Sequence, residues 1–187
     1  MTYKEFLILV KSDFEVQNYQ NYNNVINFFN MFFTKPGYKF IFYFRFSNFF
    51  GKSNYRKIFY PIYIIFRFLL KRTEMKYGIQ IPYSTKIGKG FKIEHFNGIV
   101  INNNSSIGDY CKIRHGVTLG VSDTGSPTLG NNVFIGAGAI IIGGITIGNN
   151  TVIGANAVVT KNVPDNAIVA GIPAKILSYN GAEIKLW

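Results

Sequence analysis

The chain has 187 residues, with 20 Lys+Arg against 9 Asp+Glu, 48% apolar residues and a single cysteine. That length suits one compact unit, or one domain with a modest extension. One Cys rules out an internal disulfide and a multi-cysteine metal cluster, so neither a disulfide scaffold nor a zinc finger fits.

The first residues, Met1-Thr2-Tyr3-Lys4-Glu5, lack the basic start and small-residue cleavage site of a signal peptide. The longest apolar run, Ile58 to Phe66, stops at Arg67, short of the roughly 18–20 residues that a spanning helix needs. A reducing, cytoplasmic setting is expected, with the inner face of the membrane as a variant of it.

Residues 1–78 hold 15 of the 18 Phe, 9 of the 12 Tyr and only 3 of the 19 Gly, together with 12 basic and 4 acidic residues. The composition changes near Gly78, which places a domain boundary there. Between Lys39 and Phe50 the apolar residues are too continuous for strand alternation, and Pro61 interrupts an apolar run where a central strand would not tolerate it. Residues 1–78 are therefore expected to form an α-helical domain, with a helix started or kinked at Pro61. Beside the aromatics stand Lys39, Arg45, Lys52, Arg56, Lys57, Arg67, Lys71 and Arg72. Three readings fit them: a buried inter-subunit core with a basic rim, a membrane-surface face, or a nucleic-acid patch. Packing is the expectation, with peripheral membrane contact as an addition. Nucleic acid is not expected, because no binding motif accompanies the charge.

Downstream of Gly78 a repeat of six takes over. Aliphatic residues fall at Ile81, Ile87 and Ile93, then at Ile101, Ile107, Ile113 and Leu119, then at Leu129, Ile135, Ile141, Ile147, Ile153 and Val159. Gly follows the aliphatic residue in Ile87-Gly88, Ile107-Gly108, Leu129-Gly130, Ile135-Gly136, Ile147-Gly148 and Ile153-Gly154. A period of six matches neither helix nor strand alone, but it matches a short strand plus a corner. Three hexapeptides make one coil of a triangular prism. The aliphatic residue points to the axis, the Gly permits close approach and positive φ at or near a corner, and coils pair as parallel strands.

The period breaks twice. Ile93 to Ile101 has an excess of two around Glu94-His95-Phe96-Asn97-Gly98; Leu119 to Leu129 has an excess of four around Val121-Ser122-Asp123-Thr124-Gly125-Ser126-Pro127. Breaks in a solenoid map to loops, often functional ones. The two histidines each follow an aliphatic residue by two, His95 after Ile93 and His115 after Ile113, one coil apart. They are expected to stack about 4.7–4.9 Å apart along the axis, close enough to share a substrate. Imidazole suits proton transfer near neutrality, which makes His95 the candidate general base and Glu94 the nearest carboxylate to orient it, although successive strand residues point to opposite faces. No metal site is expected.

Several of these segments resemble the hexapeptide acyltransferases, in particular the serine acetyltransferase group and its relatives in capsule and lipopolysaccharide loci. The resemblance rests on Ile87-Gly88 through Glu94-His95 to Ile101, on Gly116-Val117-Thr118-Leu119-Gly120, on Val158-Val159-Thr160-Lys161-Asn162-Val163-Pro164 and on Ala170-Gly171-Ile172-Pro173-Ala174-Lys175. It is strongest over residues 79–177 and weaker upstream, around Lys35-Pro36-Gly37-Tyr38 and Tyr77-Gly78-Ile79-Gln80-Ile81-Pro82. It implies a mainly β protein: a left-handed parallel β-helix at 79–177, preceded by the helical domain and followed by a tail at 178–187. It also implies a homotrimer, or a dimer of trimers, with acetyl-CoA as cosubstrate and no permanent cofactor. By match to the motifs, His95 is the base, and Ala137, Ala155, Thr160, Lys161 and Lys175 serve the cosubstrate.

Two departures bear on the acceptor. Gln80 stands where the serine group carries an acid, and Ser126 stands where it carries a second active-site His. His115, Ser126 and Asp123 are the candidate acceptor-binding residues. The expected function is acetyl transfer to a hydroxyl of a cell-envelope sugar; serine O-acetylation and a non-catalytic β-helix scaffold are the alternatives.

Overall fold

A computed structural model describes residues 1–17, 25–52 and 57–179. Helix α1 spans Tyr3–Gln17, α2 Val25–Thr34, α3 Pro36–Lys52 and α4 Tyr60–Tyr77. Arg56, the Lys52 side chain and residues 180–187 of the tail lie outside the described residues. Pro36 and Pro61 each sit in the first turn of a helix, where the missing N–H would have had no partner. Gly78 ends α4 in the left-handed region at φ 60°, its N–H donating to the Glu74 carbonyl.

The aromatic residues pack within this one chain. The Phe46 ring lies 4.5 Å from Phe42, 4.6 Å from Phe66 and 4.9 Å from Phe6. One ring on α3 thus meets α1 and α4, at about 0.5–1.5 kcal/mol per pair beyond simple burial. Phe29, Phe33, Phe59, Tyr60 and Phe68 remain exposed on this one chain. Of the basic residues expected at a solvated rim, Arg45 is corrected to a buried position, only 3% exposed, whereas Lys57, Lys71 and Arg72 are exposed. Arg45 Nε donates to Asp13 Oδ2 at 2.7 Å, and its other nitrogens donate to the carbonyls of Ile87 and Gly88. Asp13 in turn accepts from the Phe91 N–H at 2.9 Å, so this pair bolts α1 and α3 to the first coil. Burial raises the Asp13 pKa, with Arg45 opposing that shift. Arg67 stacks 4.1 Å from the Tyr83 ring, and Lys71 pairs with Glu74 at 3.1 Å. The outer side of α4 still exposes Ile62, Ile64, Ile65 and Phe68. Among the described residues no helix is long and apolar enough to cross a membrane.

From Ile79 onward the described chain winds as a parallel β-solenoid of short strands, numbered along the sequence. The first face stacks β1 (Ile79–Gln80), β4 (Ile99–Ile101), β7 (Thr118–Gly120), β10 (Ile140–Ile142) and β13 (Val158–Val159). The second stacks β2 (Lys86–Ile87), β5 (Ser106–Ile107), β8 (Thr128–Leu129) and β11 (Thr146–Ile147). The third stacks β3 (Lys92–Ile93), β6 (Lys112–Ile113), β9 (Phe134–Ile135), β12 (Val152–Ile153) and β14 (Ile168–Ala170), closed by β15 (Lys175–Ser178), which runs antiparallel. Ile113, Leu119, Ile135, Ile141, Ile147 and Ile153 are fully buried along the axis. Each is worth about 1.5–3 kcal/mol of burial.

The glycine of the repeat does one of its two expected jobs. A Cβ on Gly108 would stand 2.4 Å from the Gly130 carbonyl oxygen, so close approach is real. The positive φ belongs two residues later, to Tyr110, Asn132, Asn150 and Asn156 at φ 54–57°. Asn tolerates that region better than most side chains. The Asn side chains also bond from coil to coil: Asn132 donates to Asn150 and Asn150 to Asn166, each at 3.0 Å.

Candidate functional site

The excess of two in the repeat is spent at one corner, between the third and first faces. Before that corner Ile93 pairs with Ile113, and the Glu94 N–H donates to the Ile113 carbonyl. After it, the Gly116 N–H donates to the Asn97 carbonyl and Val100 pairs with Thr118. The register changes by two between Glu94 and Asn97, which lifts His95 and Phe96 out of the ladder. Asn97 absorbs the turn at φ 91°. Phe96 leans on Tyr77, the last residue of α4, with ring centroids 5.3 Å apart. The helical region therefore buttresses the displaced corner.

His95 and His115 meet as expected, their ring centroids 6.0 Å apart at 70° and both side chains exposed. The same corner continues upward. The His115 carbonyl accepts from the Gly138 N–H at 2.9 Å, and the Ala137 carbonyl from the Asn156 N–H at 2.8 Å. His115, Ala137 and Ala155 consequently form one column, with His95 at its foot. At one strand spacing per coil the column runs roughly 14 Å. Gly116 keeps it slim: it sits at φ +71°, and a Cβ there would stand 3.2 Å from Gly138 Cα.

Glu94 is placed differently from the expectation. Its carboxylate lies 3.1 Å from Arg114 Nε and 3.8 Å from Lys92 Nζ, and among the described residues no hydrogen bond joins it to His95. The physical reason is strand alternation, which sends neighbours 94 and 95 to different sides. Both Lys92 and Arg114 escaped the sequence reading. They border a cavity of about 580 Å³ that also takes in His95, Lys35 and Gln17. The Lys92 side chain is only 3% exposed. Burial lowers its pKa; the positive charge of Lys35 adds to this and Glu94 opposes it. A signal for Lys92 and Arg114 did exist, since each flanks an inward Ile in coils that pair across β3 and β6. Nothing in the period indicates that Gln17 and Lys35 arrive there from α1 and the α2–α3 junction.

Ser126 and Asp123 are not brought to His95 within this chain. The excursion follows β7, whereas His115 precedes it, so the two occupy opposite ends of the first face. The excursion is a tight turn in which Ser122 and Gly125 exchange backbone bonds of 3.0 and 2.9 Å. Ser126 Oγ donates to Asn102 at 3.0 Å, and Asp123 is exposed. Thr160 and Lys161 follow β13 and lie at that same far end, both exposed. Lys175 pairs in register with Ala170, whose Cβ a Cβ on Gly154 would approach to 2.8 Å, so it sits near the top of the His115–Ala155 column. Gln80 pairs with Val100 on the first face. Among the described residues no group of three or more His, Cys, Asp or Glu gathers as a metal site would require.

Comparison with known proteins agrees with this architecture. The family model for the bacterial transferase hexapeptide (six repeats) matches residues 126–161. Over 125 residues the chain is 40% identical to a serine acetyltransferase of Synechococcus elongatus; the match covers 65% of this chain but spans only about half, 51%, of that relative. Over 119 residues it is 42% identical to an Escherichia coli protein named as the colanic acid biosynthesis acetyltransferase WcaB, covering 62% of this chain and 72% of that one. A serine acetyltransferase structure from Brucella abortus, in complex with coenzyme A, superposes with a TM-score of 0.76 at 27% identity, covering 94% of this chain and 69% of the other. Coverage of that extent takes in the helices as well as the solenoid.

Proposed function

The chain belongs to the hexapeptide-repeat transferases, in the group that holds the serine acetyltransferases and WcaB, and from that premise we propose that it is an acetyl-CoA-dependent O-acetyltransferase with His95 as general base. The observation that carries this reading is the corner itself: a two-residue excess lifts His95 off the ladder beside His115, at the foot of an open column along which a long thioester can lie.

In the reaction His95 takes the proton of an acceptor hydroxyl as that oxygen attacks the thioester carbonyl. Backbone N–H donors hold the tetrahedral oxyanion, which collapses to the acetyl ester and the thiolate of CoA. The imidazolium returns its proton to the thiolate, so acetyl-CoA and alcohol become ester and free thiol. Ala137 and Ala155 flank the cosubstrate through their small size, and Lys175 and Lys161 serve its phosphates. Because the His column and the segments at 121–127 and 160–161 occupy different corners, one site drawing on both needs a neighbouring subunit. A homotrimer supplies it.

The acceptor has two readings. The names of the relatives favour L-serine. Two features favour a sugar hydroxyl: Gln80 and Ser126 replace groups expected of a serine site, and Glu94, the one carboxylate that borders the cavity among the described residues, is already shared by Arg114 and Lys92. The ammonium of serine would meet cations there. The test is thiol release from acetyl-CoA by the purified full chain, offered L-serine, nucleotide sugars and oligosaccharides. His95→Ala is expected to lower kcat/KM by about 10²- to 10⁴-fold. Turnover of serine would show that Gln80 and Ser126 do not exclude the amino acid. If no acceptor gives His95-dependent release, the scaffold reading takes its place.

A further inference from the structure

We propose that the cavity beside His95 is an oxyanion subsite, and that the molecule acetylated is therefore a negatively charged saccharide, bearing a phosphate or a carboxylate, rather than a neutral sugar or a zwitterionic amino acid. This deepens the transferase reading and rests on it.

The cavity, at about 580 Å³, has the volume of a site for one or two sugar rings. Of the charged side chains that border it among the described residues, Lys35, Lys92 and Arg114 are cationic and Glu94 is anionic. Glu94 divides its carboxylate between Arg114 at 3.1 Å and Lys92 at 3.8 Å. Around this cavity the described cations outnumber the described carboxylate, an excess of positive charge that suits an anionic group. Burial shifts Lys92 toward its neutral form, and an arriving oxyanion would reverse that shift.

Two further groups point the same way. The Gln17 side chain borders the cavity, is only 6% exposed, and its Nε2 has no hydrogen-bond partner among the described residues. It is a buried donor awaiting an acceptor. Arg114, 42% exposed, can present its planar fork to a phosphate or carboxylate from the rim. Pro36 and Gly37, the first residues of α3, also border the cavity and add the positive end of that helix. Gly37 makes the approach possible, because a Cβ there would stand 2.4 Å from the Ile93 carbonyl oxygen. His95 lies on the same wall, so an acceptor anchored by its charge would bring a neighbouring hydroxyl to the imidazole.

The experiment compares a hexose phosphate, a hexuronic acid and the matching neutral methyl hexoside as acceptors for the full chain, by thiol release. In parallel, the thermal midpoint is followed with millimolar inorganic phosphate. The charged acceptors are expected to exceed the neutral one in kcat/KM by about ten-fold or more, and Arg114→Gln to erase most of that preference. Phosphate is expected to raise the midpoint of the wild type and to raise it less in Arg114→Gln. Lys92→Gln should act in the same direction; since Lys92 is buried, the half-exposed Arg114 provides the variant that keeps its fold. Whether the phosphate or the uronate is preferred identifies the oxyanion. Equal turnover of charged and neutral acceptors, with His95 still required, overturns the inference and leaves the transferase reading standing. So does a phosphate shift that is absent, or unchanged in Arg114→Gln. If no acceptor gives His95-dependent release, the transferase reading falls, and the phosphate measurement still decides whether the cavity holds an oxyanion.

Discussion

Ile113, Ile135 and Ile153 stack one per coil, paired in direct register; the half-buried Phe46 packs against Phe6, Phe42 and Phe66, drawn from three helices. In the solenoid each core residue finds its neighbours at intervals that the chain itself repeats. In the helical region the same burial depends on contacts with no common spacing. The comparison separates two ways of building a core: one whose geometry can be counted along the sequence, and one whose geometry is decided only by docking.

The joint between the two regions is where that distinction breaks most sharply. Asp13→Ala would leave the Arg45 guanidinium buried beside the Ile87 and Gly88 carbonyls without its carboxylate, at a cost of about 3–5 kcal/mol. A fall of that size in the urea-unfolding free energy is expected, and an Asp13→Leu, Arg45→Met double variant should recover much of it. A loss below about 1 kcal/mol for Asp13→Ala would show that the helices and the first coil are held by the aromatic packing instead.

Within the solenoid the expected effects are smaller and local. Asn150 holds φ 54° and bonds to both Asn132 and Asn166. Replacing it by Ala or Gly removes the same two side-chain bonds, so the difference between the variants isolates the backbone conformation. Asn150→Ala should be less stable than Asn150→Gly by about 1 kcal/mol in the thermal midpoint analysis. Equal stabilities would mean that the corner relaxes and that the left-handed residue is not a requirement of the repeat.

The smallest effect concerns Lys92, which belongs to both regions. Burial, opposed by Glu94 and aided by the charge of Lys35, sets its folded pKa below the ordinary value of 10.5. The unfolded chain therefore binds more protons between the folded and unfolded pKa values, and the contribution of this group to stability rises with pH through that window. Oxyanion binding follows the opposite sign: it is strongest below the folded pKa, where the ammonium is charged, and declines as pH rises through it. The phosphate-induced midpoint shift should weaken with rising pH earlier than an ordinary lysine would allow, and that pH dependence should disappear in Lys92→Gln.

Much of the site is legible in the spacing of residues along the chain. The displacement of His95 follows from the eight residues between Ile93 and Ile101, because a surplus in a strictly periodic coil has to leave the ladder somewhere near the missing register. The stacking of His95 and His115 follows from their common offset after Ile93 and Ile113. The role expected of Glu94 did not survive, since being adjacent in sequence to a strand residue places a side chain on the other side. The positive φ expected of the repeat glycine moved two residues on, to Asn132, Asn150 and Asn156, because steric closeness and backbone handedness are separate demands that a sequence pattern does not distinguish.

The sequence by itself determined the coil, the inward column of aliphatic side chains, the corner that carries His95 and the family resemblance, since each depends on a spacing written along the chain. Only the tertiary structure decided that Arg45 is a buried bolt rather than part of a basic rim, that Glu94 serves Arg114 and Lys92, and that Gln17 and Lys35 close a cavity beside the histidine. Those facts depend on how α1, α2 and α3 dock on the first coil, through contacts such as the one from the Gly90 N–H to Ser12 Oγ at 3.0 Å, 78 residues apart. A repeat of six specifies its own neighbours and carries no information about what packs against it.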